Sequence, residues 1–268
     1  MRIITKTFLI SGGIVVMVLA AGFFFQQPWT INLWLWPDGR LSYMFIASIL
    51  AAIAIAMIWI GISGDGGSVP AGALNIFVMQ IGMAGFLLMH SQETNQPRLL
   101  PYAIGVGIFS LLALGLFFAS HRYPFPATQK MPRVVRISFG IFVVFLVLSG
   151  GGLVFKTGII MPWPLKPESS VMFGWIFLGD AFYFLYAILR PYWSFARAQL
   201  WSFLVYDLVL IVPLLDHLQR VPPKLMPSLL IYLVVLIYSG SLAVYFLFLH
   251  KPTRIWSGKQ LHREQVLE

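Results

Sequence analysis

Two carboxylates stand where a membrane protein rarely tolerates them. Asp180 and Asp207 each lie near the middle of a long apolar run within 171–217, and no other acid in the chain lies so deep in one. A charge at mid-bilayer costs at least a few kcal/mol unless a proton, a cation or water compensates it. The chemistry open to such a group is narrow. It can take up and release a proton, or anchor a polar part of a ligand in a cavity. It can also act as packing glue, hydrogen-bonded to a neighbouring helix for roughly 1 kcal/mol. Asp180 precedes Arg190 by ten residues, about 15 Å of helix, and Asp207 follows Gln199 by eight, about 12 Å. Two consecutive antiparallel helices would bring both acids to one depth, where they could face each other. Tyr183 lies one turn from Asp180, Tyr206 adjoins Asp207, and Trp175 shares the first run. These five residues form the expected ligand or proton site. No Lys or Arg lies deep within any apolar run to neutralise the acids.

The histidines are the other candidates. His90 and His217 end apolar runs on one side, and His121 and His250 end runs on the other. Symmetric His pairs could ligate a metal or haem. Their places at the interface fit a simpler role, since His accepts water there and its charge favours a helix C-terminus. No metal site and no cofactor is expected. The chain has no Cys, which excludes disulfides and thiolate chemistry. It contains no GxSxG, HExxH or Walker A glycine loop, so no catalytic residue is assigned. The net charge of +9 suits cytoplasmic loops against anionic lipid. No basic stripe interleaves with stacking aromatics, so nucleic acid is not an expected partner.

The elements that must position these groups are membrane helices. The chain is 59% hydrophobic and 10% charged over 268 residues, against about 25% charge in a soluble domain. Apolar runs long enough to cross a hydrocarbon core fall at roughly 8–25, 41–62, 71–90, 101–120, 134–154, 171–190, 199–217 and 227–249. They lack the alternation of barrel strands and must close their own backbone hydrogen bonds, so they are helices. The first follows MRIITK, and the bulky Phe23, Phe24 and Phe25 argue for a retained helix and not a cleaved signal. With eight spans, both termini and the even-numbered connections hold twelve Lys and Arg and the other side six. That asymmetry orients both termini toward the cytoplasm.

The chain also repeats itself. ISGGIVV at 10–16 matches ISFGIFV at 137–143, and Trp36-Pro37 matches Trp163-Pro164. Met44-Phe45 matches Met172-Phe173, His90 matches His217, Pro101 matches Pro227, and His121-Arg122 matches His250-Lys251, all at offsets of 126 to 129. The expected fold is therefore an all-α integral membrane bundle of eight transmembrane helices, arranged as two parallel four-helix repeats. The first repeat spans 1–122, a cytoplasmic linker 123–132, the second repeat 133–251 and a cytoplasmic tail 252–268. The first repeat reads as scaffold: Ala52 stands where the second has Asp180, and Gln80 where it has Asp207. Pro213 is expected to kink the helix that carries Asp207. The Trp-rich loops 26–40 and 156–168 read as an aromatic belt, and the basic aromatic turn 190–197 as lying on headgroups.

The stretch MPWPLKPESSVMFGWIFLGDAFYFL carries Pro162, Trp163, Pro164 and Leu165 ahead of Gly174, Trp175, Phe177, Leu178 and Gly179. It resembles a WPWPL-type motif ahead of an aromatic helix in uncharacterised bacterial multi-pass membrane proteins. The resemblance implies a bacterial plasma (inner) membrane and no activity. FLGDAFYFL separately resembles the Gly-Asp stretch of membrane lysoplasmalogenases, over a few residues only. The expected function is a small-molecule or lipid-binding cavity around Asp180 and Asp207 with proton-coupled transport. The alternatives are a structural or assembly subunit with membrane protein partners, and third a lipid-acting membrane enzyme. Lipid bilayer is the partner common to all three.

Overall fold

The computed structural model describes residues 3–121, 129–157 and 159–255. Residues 123–128 of the expected linker and 256–268 of the expected tail lie outside the described residues. The helices are α1 (Ile3–Phe24), the short α2 (Pro28–Ile31), α3 (Arg40–Ser63), α4 (Val69–Glu93), α5 (Leu100–Ser120), α6 (Arg133–Val154), α7 (Pro167–Leu189), α8 (Trp193–His217) and α9 (Met226–Val244). The last continues as a π-helical turn, Tyr245–Leu249. All but α2 belong to eight helical segments of 22–28 residues that are apolar enough to cross a membrane. Each expected span is found. No strand occurs among the described residues, only one isolated bridge between Lys130 and Tyr192.

Local chemistry sets the helix ends. Pro167 opens α7 from an extended Lys166, because proline fits the first turn, where its missing N–H goes unused. Short 3-10 turns, Pro97–Leu99 and Pro223–Leu225, lead into α5 and α9. α1 and α6 both end through a residue at positive φ, Gln26 at 52° and Lys156 at 56°. Their closing bonds correspond one for one. Gln27 N–H donates to Gly22 O and Thr157 N–H to Gly152 O, both at 2.8 Å. Gln26 N–H donates to Phe23 O and Lys156 N–H to Leu153 O. This left-handed closure satisfies the last carbonyls of each helix.

The chain divides into two compact units. The first holds residues 1–33, 40–64 and 197–268, hence α1, α2, α3, α9 and all of α8 after its first turn. Here α1 and α3 cross on two glycines. A Cβ on Gly13 would lie 2.6 Å from Ile58 Cγ1, and one on Gly61 would lie 2.6 Å from Ile10 Cγ1. Small residues at such crossings let backbones approach and gain dispersion, the main attraction between helices in lipid. α3 and α8 are joined by Ser202, whose Oγ donates to Ala52 O at 2.8 Å, and by the tilted Trp59–Trp201 pair.

The second unit holds residues 34–39 and 65–196, hence α4 to α7 and the first turn of α8. Gly150 and Gly174 pack α6 on α7 so closely that a Cβ on either would come within 2.9 Å of the other's carbonyl oxygen. Gly82 of α4 receives the Trp175 indole of α7. Each unit thus draws two spans from each half of the chain. The turn 190–197 differs from expectation. Helix α8 already begins at Trp193, and Trp193 and Phe195 are buried at 1% and 0% exposure instead of lying on headgroups. Three bonds hold them in: Trp193 N–H to Gln129 O, Met131 N–H to Pro191 O, and the Tyr183 hydroxyl to Phe195 O, each at 2.8 Å. α8 runs through Pro213 as one helix.

Candidate functional site

The carboxyl of Asp180 is held by α4. Asn75 Nδ2 donates to Asp180 Oδ1 at 2.6 Å, a bond between two helices in the interior of unit two. The approach depends on Gly179. A Cβ there would meet Asn75 Oδ1 at 2.6 Å and Asn75 O at 2.8 Å, so no other residue leaves room for the amide. Oδ2 of Asp180 has no hydrogen-bond partner among the described residues, and the residue is half-buried.

Asp207 belongs to unit one and has different partners. It is 7% exposed. The Ser239 hydroxyl on α9 lies 3.1 Å from Oδ1 and 3.0 Å from Oδ2. The same hydroxyl reaches Val235 O at 2.8 Å and Leu236 O at 3.2 Å. One proton therefore serves four acceptors. Gly240 leaves space for the carboxyl, since a Cβ there would be 3.1 Å from Oδ2.

Of the five expected site residues, the two acids are inside their spans and are bonded to neighbouring helices. They belong to different units, and each has its hydrogen bond within its own. Tyr183 turns its hydroxyl to the Phe195 carbonyl and not to Asp180. Tyr206 shares a hydrogen bond with the Tyr232 hydroxyl. Trp175 fills the notch at Gly82, a packing role. The histidines make local contacts: His121 Nε2 with the Tyr186 hydroxyl at 2.8 Å, His250 Nδ1 with Thr253 Oγ1 at 2.8 Å, and His90 against Phe86, Trp36 and, at 4.0 Å, Glu168. His217 lies in the last turn of α8. Among the described residues no three His, Asp or Glu gather as a metal cluster would require.

Asn75, Gly179 and Ser239 were not foreseen. The signal for two of them was available, because an amide and a hydroxyl inside an apolar run must also find partners. The fold and the site together define a polytopic all-α membrane protein with hydrogen-bonded carboxyls inside its spans. No family model, no curated protein and no solved structure matches the chain.

Proposed function

We propose that this protein binds a proton or a small cationic or polar ligand at its intramembrane carboxyls, in the service of proton-coupled transport across a bacterial plasma membrane with both termini cytoplasmic. One observation carries the reading: Asp180 at mid-span has one oxygen held by Asn75 and the other without a partner among the described residues. A carboxylate so placed needs a proton or a cation. The test is a native mass spectrum of the gently purified protein beside its Asp180→Asn variant. Asn at 180 keeps an oxygen for Asn75, so the helix contact survives while the acid is lost. A discrete bound species present in wild type and missing from a variant of unchanged melting temperature supports the reading. Identical spectra without a bound species overturn a cationic or polar ligand, and a bound proton is refuted by a folded protein whose Asp180 resists an apolar carbodiimide.

A second reading, a structural or assembly subunit, has its own support. Ser202 ties α8 to α3 through Ala52 O with no acid involved, so a bond across a central helix pair can be purely mechanical. That reading expects partner subunits in the same spectrum and no effect of Asp180→Asn.

We also infer that the chain arose by duplication of a four-span sequence. The offset matches support it, as do the corresponding closures of α1 and α6. The pattern of helix pairs agrees as well. Asn75 corresponds to Ser202 and Asp180 to Ala52, and each pair is bonded across helices in its own unit.

A further inference from the structure

The two oxygens of Asp180 are in unlike settings, and α4 makes them so. Oδ1 accepts the Asn75 amide N–H at 2.6 Å. An oxygen that already accepts from a donor at that distance has one of its two acceptor sites filled, and is a poorer seat for a proton or a cation than an oxygen with both open. Oδ2 lacks a partner among the described residues, and the residue is half-buried. The arrangement is built and not incidental. Gly179 removes the only side chain that would hold Asn75 off, with a Cβ there standing 2.6 Å from the amide oxygen and 2.9 Å from Met79 Cβ.

We infer that Asn75 is a positioning residue that occupies Oδ1 and presents Oδ2 as the atom of Asp180 that takes a proton or cation. The inference rests on the reading of Asp180 as a ligand site. It makes the Asn75–Gly179–Asp180 group one device drawn from α4 and α7. Neither neighbour touches the ligand.

The probe is dicyclohexylcarbodiimide, an apolar reagent that reaches carboxyls inside a bilayer. A carboxyl oxygen bonds to its central carbon and the acid proton moves to one nitrogen, so the adduct carries the whole reagent and nothing leaves. The purified full chain is labelled in detergent, and the rate at Asp180 is read from peptide masses, with Asp180→Asn as the blank. Wild type is expected to label at Asp180. Asn75→Ala frees both oxygens and should change the rate by about tenfold or more, the weight of a hydrogen bond to a charged group. Asn75→Ser keeps a donor of the kind that Ser202 supplies in unit one, and should return the rate toward wild type. Gly179→Ala, which pushes the amide away, should follow Asn75→Ala. If Asp180 labels equally in wild type, Asn75→Ala and Gly179→Ala, the positioning role is overturned while the site reading stands. If Asp180 labels in none of these folded proteins, the site reading falls and takes the inference with it. Should Asn75→Ala not survive purification, the Ser and Gly179 variants decide between the same outcomes.

Discussion

Replacing Gly82 with alanine tests whether α4 and α7 are set by a single notch. A Cβ at position 82 would lie 2.0, 2.1 and 2.5 Å from Cδ2, Cε3 and Cε2 of Trp175. Carbon atoms in contact prefer about 3.5–4.0 Å, so the indole would have to withdraw by about 1.5 Å. The ring is a rigid plane, and the atoms met are its fused centre and not a flexible tip, so small rotations do not relieve the clash. Overpacking of this kind costs about 1–3 kcal/mol, and the geometry places this case at the upper end. The assay is reversible unfolding in mixed detergent micelles, with Trp175→Ala as a second background. Trp175→Ala alone should cost about 3–5 kcal/mol, as a large aromatic truncation does. In that background Gly82→Ala should cost almost nothing, which gives a coupling of about 1–3 kcal/mol between the two sites. A neutral Gly82→Ala in the wild-type protein, or an equal cost in both backgrounds, would refute the notch.

Two further outcomes follow from the contacts. Tyr183→Phe removes the hydroxyl that donates to Phe195 O and should lower stability by about 0.5–1.5 kcal/mol, the net weight of one hydrogen bond. Carbodiimide labelling of Asp180 should not move, and a changed rate would show that Tyr183 serves the acid after all. Ala52→Asp places a carboxyl at the position that corresponds to Asp180, on the helix that Ser202 bonds. It should create a second carbodiimide-reactive acid, read by peptide mass, and a folded variant with no new adduct would count against the equivalence.

The spans were legible because lipid admits so few backbone solutions: a long apolar run must be a helix, and its length gives its limits. Boundaries failed where a polar or aromatic residue near the interface was taken for loop. Trp193 and Phe195 look like headgroup anchors in isolation, but both are buried, beside the pairing of 129–131 with 191–193 and the Tyr183 hydroxyl. The acids were legible because charge in a span is costly. Their partners were not, since Asn75 and Ser239 lie on helices far away in sequence, and periodicity does not say which helices meet. The helix pairs α4–α7 and α8–α9 supply those partners. Gly179 read as part of a motif, whereas its role is to leave a gap of one methyl for an amide on another helix.

Magnitudes weigh on whether Asp180 is only a clasp. Unit one joins α3 to α8 with a serine hydroxyl and a backbone carbonyl, both neutral. Unit two makes the corresponding link with an amide and an acid. Interhelical hydrogen bonds in membranes are worth roughly 1 kcal/mol, while Asp at the centre of a span costs about 2.5–3.5 kcal/mol to insert. Set against the bond it makes, a clasp built from Asp is therefore left short by about 2 kcal/mol. Asn at 180 would offer Asn75 the same acceptor oxygen without the ionisable group. Packing accounts for Oδ1 and leaves Oδ2 unexplained. That oxygen is where a bound proton or cation would offset the difference, and so the acid, more than the bond it makes, is the part of this site that calls for a function.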